Sequence, residues 1–113
     1  MNDFQEMYQE ANKAGAVAAA DTGVQMLTIT DGVQVFKPFP ICGFGWVNVR
    51  PGNCAFANWL KKAGLARKAY YGGVDIWISD YDQSYDQKHA HAVAMGKVFA
   101  DHGIRAYGTG RLD

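Results

Sequence analysis

The apolar and polar positions of this chain form a strand–turn–helix pattern that occurs twice. The first copy runs from Phe44 to Gly64 (FGWVNVRPGNCAFANWLKKAG) and the second from Val74 to Gly103. Each opens on a short apolar run, crosses a polar turn with a capping residue and continues as an amphipathic helix. Each stops at a glycine followed by an aliphatic residue, Leu65 or Ile104, which is the pattern of a left-handed C-terminal cap. A helix is predicted over 54–63, with Asn53 as N-cap. Phe56, Trp59, Leu60 and Ala63 share its inner face at i, i+3, i+4 and i+7. A second helix is predicted over 85–102, opened by the capping box Ser84 to Gln87, with Ala92, Met95, Gly96 and Phe99 inward. Strands are predicted over 44–49 and 74–79. A short last strand is expected over 104–107, with GTGRLD as a tail.

Upstream, Phe4, Met7, Tyr8, Ala11 and Gly15 make one stripe of a helix over 3–20. Residues 24–36 read as a hairpin about Asp31-Gly32, a type I′ signal. That turn sets Thr30 opposite Val33 and Thr28 opposite Val35, and Pro38 and Pro40 end the ladder. The order is α-β-β-β-α-β-α-β. The expected fold class is α/β in the broad sense, a mixed α+β domain spanning 1–113. Residues 1–40 supply a variable helix and hairpin, and 41–113 a β-α-β-α-β core. Two crossover helices predict a parallel or mixed sheet. The alternative is an α+β sandwich of the ferredoxin-like kind.

Strand alternation divides the core sheet into two faces. Val47, Val49, Val74, Ile76, Ile78, Ile104 and Ala106 should meet the crossover helices. The opposite face then carries Phe44, Trp46 and Asn48, with Asp75, Trp77 and Ser79, and with Arg105 and Tyr107. Phe4, Met7 and Tyr8 need apolar partners, so the N-terminal helix or the hairpin is expected to cover this aromatic face. Left open, it is a stacking platform for bases or a protein interface, since Trp, Tyr and Arg dominate binding hot spots.

Composition narrows the class. The chain has 113 residues, 49% hydrophobic and 13% aromatic, which suits one folded domain and excludes a disordered one. Its formal net charge is zero, so no global field attracts a polyanion. Residues 1–40 hold two basic and five acidic side chains, and 41–113 nine and six. Lys61, Lys62, Arg67 and Lys68 form a basic cluster, read first as solvated surface. Cys42 and Cys54 form no disulfide framework and read as reduced thiols. No signal peptide is evident, and Ala14–Ala20 is too short to span a bilayer. The expected setting is cytoplasmic, away from membranes.

Candidate chemistry is sparse. Asp80, Asp82 and Asp86 are a candidate divalent-cation site. The reading preferred for these acids is stabilisation by the dipole at a helix N-terminus, since no glycine-rich or histidine element beside them completes a site. His89 and His91 point about 200° apart on a helix. His91 and His102 lie about 16 Å apart along it, so these histidines read as surface or boundary residues. Cys54, in a first helical turn, reads as a packing residue. Gly108-Thr109-Gly110 precedes no helix and is a poor phosphate cradle. The expectation is a protein that is not an enzyme and needs no cofactor.

Several strings together, CGFGWVNVRPGNCAFANWLKK, YYGGVDIWISDYDQSYDQKHAHAVAMGKVFADHGI and the terminal RLD, resemble a group of small bacteriophage and prophage proteins. Those proteins share a C-G-F-x-W-V-x-V strand, an F-A-x-W-x-K-K helix, a Y-x-G-G-V-x-I turn and strand, a Q-S-Y-x-x-K helix start and an R-L-D ending. The resemblance covers about residues 41–113 and brings no catalytic residue with it. It implies a virus-encoded accessory protein acting inside a bacterial cell. The expected function is binding of a host protein or complex, with inhibition of a defence system in the manner of anti-CRISPR proteins as one version. The alternatives are single-stranded nucleic-acid binding through Trp46, Trp77 and Tyr107 with Lys61, Lys62, Arg67 and Lys68 on the backbone, a virion component, and a metal-dependent hydrolase at the aspartates. Oligomeric state is open, a homodimer included.

Overall fold

A computed structural model describes residues 3–22, 29–31, 33–35, 43–79, 81 and 85–112. The elements are α1 (Asp3–Asp21), β1 (Ile29–Asp31), β2 (Val33–Val35), β3 (Gly43–Arg50), α2 (Ala55–Lys62), β4 (Arg67–Lys68), β5 (Val74–Trp77), α3 (Tyr85–Asp101) and β6 (Arg105–Leu112). The predicted order holds, with the two-residue β4 added between α2 and β5. Two residues are too few to show alternation, which is why no sequence pattern marks that strand. Among the described residues no helix is long and apolar enough to cross a membrane.

β1 and β2 form a separate antiparallel ribbon in which Thr30 pairs with Gln34 and Asp31 with Val33. The pairing is therefore centred on Gly32, one residue away from the register expected of an Asp31-Gly32 turn. The observed register sets Ile29 opposite Val35, where the expected one set Thr28. Thr28 and the two prolines that were expected to end the ladder lie outside the described residues.

The core sheet has the order β4-β5-β3-β6, and every neighbouring pair is antiparallel. This corrects the expectation of a parallel or mixed sheet. Each crossover helix does join two strands of the same direction, β3 to β4 and β5 to β6. In both cases a third strand, antiparallel to them, lies between. These two split β-α-β units give the ferredoxin-like arrangement. A crossover helix dictates the direction of the strand it delivers, not which strand will be its neighbour.

One face of this sheet is the floor of the core. Val47, Val49, Val74, Ile76 and Ile78 are buried there with Phe56, Ala57 and Leu60 of α2 and with Ala92, Met95 and Phe99 of α3. Phe56 and Phe99 meet at 4.9 Å between ring centroids. α3 comes down onto glycines: a Cβ on Gly108 would sit 2.1 Å from the Ala92 carbonyl oxygen, and one on Gly45 2.6 Å from that of Lys88. The GTGRL stretch is thus the second half of an eight-residue strand paired with β3 from Gly43 to Arg50, not a tail. Its glycines hide the apolar alternation that would otherwise mark a strand.

The helix ends obey local rules. After α2, Gly64 has φ +76°, the Gly64 N–H donates to the Lys61 carbonyl (3.1 Å) and the Leu65 N–H to that of Leu60 (2.9 Å). Gly103 and Ile104 repeat the motif after α3, as the two glycine stops predict. The N-cap of α2 is Cys54, not Asn53: its backbone is extended and its Sγ accepts from the Ala57 N–H at 3.4 Å. Asn53 is spent in the turn after the cis Arg50–Pro51 bond, where the Cys54 N–H donates to the Pro51 carbonyl at 3.1 Å. On α2, Ala57 is buried and Ala63 is exposed, so Ala57 replaces Ala63 on the predicted inner face. Ser84, the expected cap of α3, lies outside the described residues.

α1 buries Met7, Ala11, Gly15 and Ala19 and packs on α3. Gly15 permits the close approach, since a Cβ there would lie 2.5 Å from the His91 ring. The Phe4 ring meets Phe56 at a tilt, 5.3 Å between centroids, and Tyr8 meets Trp59 likewise at 6.2 Å. The aromatic residues of α1 therefore find their partners among the helices. They do not cover the far face of the sheet, which corrects the expectation as far as α1 is concerned; the segments flanking the hairpin, 23–28 and 36–42, lie outside the described residues.

Candidate nucleic-acid interface

The far face of the sheet carries the even-numbered residues of β3 and their partners. Trp46 pairs with Trp77 and Thr109, Asn48 with Asp75 and Tyr107, Phe44 with Arg111, and Arg50 with Arg105. The Trp46 and Trp77 rings lie 4.8 Å apart, and Phe44 meets Trp77 edge-on at 6.3 Å. Three rings thus form a row across two strands. Trp77 is 46% exposed, Tyr107 50% and Phe44 37%. Strand alternation placed all five expected residues of this face, Phe44, Trp46, Trp77, Arg105 and Tyr107, on the side opposite the core; the Lys88 Nζ of α3 nevertheless lies over the Phe44 ring at 5.9 Å.

The β4–β5 hairpin forms one wall. Tyr70 and Tyr71 at its tip are 92% and 86% exposed and meet each other edge-on at 4.8 Å. The tip is tied to the sheet by polar contacts. Buried Asn48 donates through Nδ2 to the Gly72 carbonyl (3.0 Å) and to Asp75 Oδ1 (2.8 Å). Arg50 Nε donates to Asn48 Oδ1 at 2.7 Å, and Arg50 Nη2 to the Tyr71 carbonyl at 3.4 Å. Between hairpin and sheet lies a groove of about 530 Å³ whose lining includes Trp46, Trp77, Tyr107, Tyr70, Arg50 and Arg67. Lys68 and Arg111 also border it.

The basic cluster read from the sequence is split by the fold. Arg67 and Lys68 belong to β4 and reach the groove. Lys61 and Lys62 are exposed on α2, outside the groove lining, and Lys61 Nζ donates to the Gly52 carbonyl at 3.0 Å. Arg50, Arg111, Tyr70 and Tyr71 are residues of this face that sequence reasoning missed. The alternation that selected Phe44 and Trp46 extends to Arg50. The same parity in β6 extends from Tyr107 to Arg111, so both arginines were legible had the strands been drawn to full length. Arg50 and Arg105 are directly opposed, and like charges in that relation destabilise a sheet. Arg111 rests over the Phe44 ring at 5.6 Å.

The other candidates fall elsewhere. Asp80 and Asp82 lie outside the described residues, and Asp86 sits in the first turn of α3. Among the described residues no group of three or more His, Cys, Asp or Glu side chains is placed to hold a metal ion. The three histidines are separate. His89 stacks on Tyr85 at 5.3 Å. His102 Nε2 lies 3.0 Å from Glu10 Oε2 on the surface. His91 is buried, a correction to its reading as a boundary residue. Its Nδ1 is 2.8 Å from the Tyr81 hydroxyl and its Nε2 2.9 Å from the Asn12 amide oxygen. It bridges two helices and a loop, a satisfied polar core residue. Cys42 lies outside the described residues, and the Cys54 sulfur is engaged as a helix cap.

No family model, curated protein or solved structure matches this chain.

Proposed function

We propose that this protein binds single-stranded nucleic acid on the open face of its sheet. The observation that carries the reading is one surface with a row of rings, exposed Phe44 and Trp77 and half-buried Trp46, beside Tyr107, four arginines (Arg50, Arg67, Arg105 and Arg111) and, among the described residues, the single carboxylate Asp75. The chain is neutral overall, so this local excess of positive charge comes from placement and not composition. Rings take bases by stacking whatever their sequence, and guanidinium groups donate hydrogen bonds to the backbone phosphate oxygens. An anion between Arg50 and Arg105 relieves the repulsion of a pair opposed across two strands. Duplex is disfavoured because its bases are already stacked on one another. The test is quenching of tryptophan fluorescence by short oligonucleotides. The expected result is saturable quenching whose affinity falls steeply with salt, with a slope set by the number of phosphates contacted. No quenching at low salt overturns the proposal.

A second reading assigns the same face to a host protein, the role implied by the resemblance to phage accessory proteins acting in the bacterial cytoplasm. It is favoured by Tyr70 and Tyr71, which stand out on a hairpin tip anchored by Arg50 and Asn48; rigid exposed aromatics are the residue type that dominates protein hot spots. This reading expects a host protein captured by the native chain and lost with the Tyr70→Ala/Tyr71→Ala variant. Capture that is indifferent to both tyrosines refutes it.

A further inference from the structure

We propose that Asp75 makes the groove select among nucleobases, favouring those with an exocyclic amino group (cytosine, adenine, guanine) over uracil and thymine. The inference rests on the nucleic-acid reading above. Asp75 lies on β5 two residues from Trp77 and on the same face, roughly 7 Å along the strand. The edge of a base stacked on Trp77 therefore falls toward its carboxylate. Asp75 is half-buried and lines the groove. It also borders the adjoining cavity of about 400 Å³ with Arg67, Trp77 and Ser79.

The neighbouring amide of Asn48 is already spent. Both Asn48 Nδ2 hydrogens are donated, to the Gly72 carbonyl and Asp75 Oδ1, and Asn48 Oδ1 accepts from Arg50. Asn48 thus offers a ligand nothing. Among the described residues, Asp75 Oδ1 has this one partner and Asp75 forms no ion pair, although Arg67 is its cross-strand partner. The second carboxylate oxygen remains as an acceptor open to the groove. A carboxylate at neutral pH accepts and does not donate. The cytosine and adenine amino groups, and the N1–H and N2 amino group of guanine, supply donors to it. Uracil and thymine present an N–H flanked by two carbonyl oxygens, which brings acceptor against acceptor. A polar group in a binding site that loses its partner discriminates strongly against the ligand that fails to supply one.

The experiment is titration of the full chain with oligo(C), oligo(A) and oligo(U) of equal length, followed by tryptophan fluorescence. The native protein is expected to bind oligo(C) and oligo(A) about tenfold more tightly than oligo(U). Asp75→Asn, whose amide can donate to uracil carbonyls, is expected to bring the three within about twofold. Circular dichroism confirms that the variant is folded, and Asp75→Ser serves if Asn disturbs the hairpin. Equal affinities in the native protein, or a folded variant that keeps the full preference, overturn the inference while leaving nucleic-acid binding in place. No binding to any of the three overturns the broader reading and this one with it.

Discussion

The two faces of the core sheet are built from alternate residues of the same three strands, yet they follow different physical rules. On the covered face, Val47, Val49, Val74 and Ile76 are buried, and glycines at 45 and 108 let α3 approach to backbone contact. Volume is the constraint there, because interiors are close-packed and neither a cavity nor an added methyl group is tolerated well. On the open face, larger side chains stand at the intervening positions, with rings and guanidinium groups in place of aliphatics and glycine. Among the described residues Arg50, Arg105 and Arg111 form no ion pair on that face. Burial and size are decoupled here. The largest rings of the strands, Trp46 and Trp77, are on the side that the core helices α2 and α3 do not cover.

The comparison breaks first at the covered face. Phe99→Ala removes a fully buried ring that touches Phe56 and is expected to cost about 3–5 kcal/mol, read from the urea midpoint. Next comes Gly108→Ala, whose methyl group meets the Ala92 carbonyl. The expected loss is about 1–3 kcal/mol or more, because backbone on both sides must shift. A neutral Gly108→Ala would mean that α3 does not lie flush on β6. The open face sharpens the contrast. Trp77→Ala removes the ring pair with Trp46 and is expected to cost about 1 kcal/mol of stability, while oligonucleotide affinity falls about tenfold or more. A stability loss equal to that of Phe99→Ala would show that Trp77 belongs to a core. The smallest effect belongs to neither face. Gly64→Ala places a side chain in the left-handed cap of α2, where nothing crowds a Cβ, and is expected to lower stability by about 1 kcal/mol.

Much of this was readable from single residues. The stripes Met7-Ala11-Gly15 and Ala92-Met95-Phe99 gave α1 and α3 within one residue of their ends, because a helix's buried face recurs along its own sequence. The alternation of Phe44, Trp46 and Asn48 against Val47 and Val49 gave the two faces. Where the reading failed, the missing information was non-local or masked by glycine. β6 was cut short at Tyr107 because Gly108 and Gly110 have no side chain to show a parity. The cap of α2 moved from Asn53 to Cys54 because the turn after Arg50–Pro51 consumes an extra residue. Lys61, Lys62, Arg67 and Lys68 are neighbours in sequence, but the end of α2 and the start of β4 separate them into two surfaces. Arg50 and Arg111, far apart along the chain, border one groove.

By itself the sequence determined the helices, the parities of β3 and β5 and the glycine stops, since each depends on residues within a turn or two. It also determined that Trp46 and Trp77 face away from the crossover helices. The tertiary structure alone decided that β5 enters between β3 and β4, that α1 packs against α3 and leaves the aromatic face open, and that arginines from three strands converge there. Those outcomes depend on which distant segments pair and which surfaces are buried in competition with one another. Local periodicity carries no record of that competition.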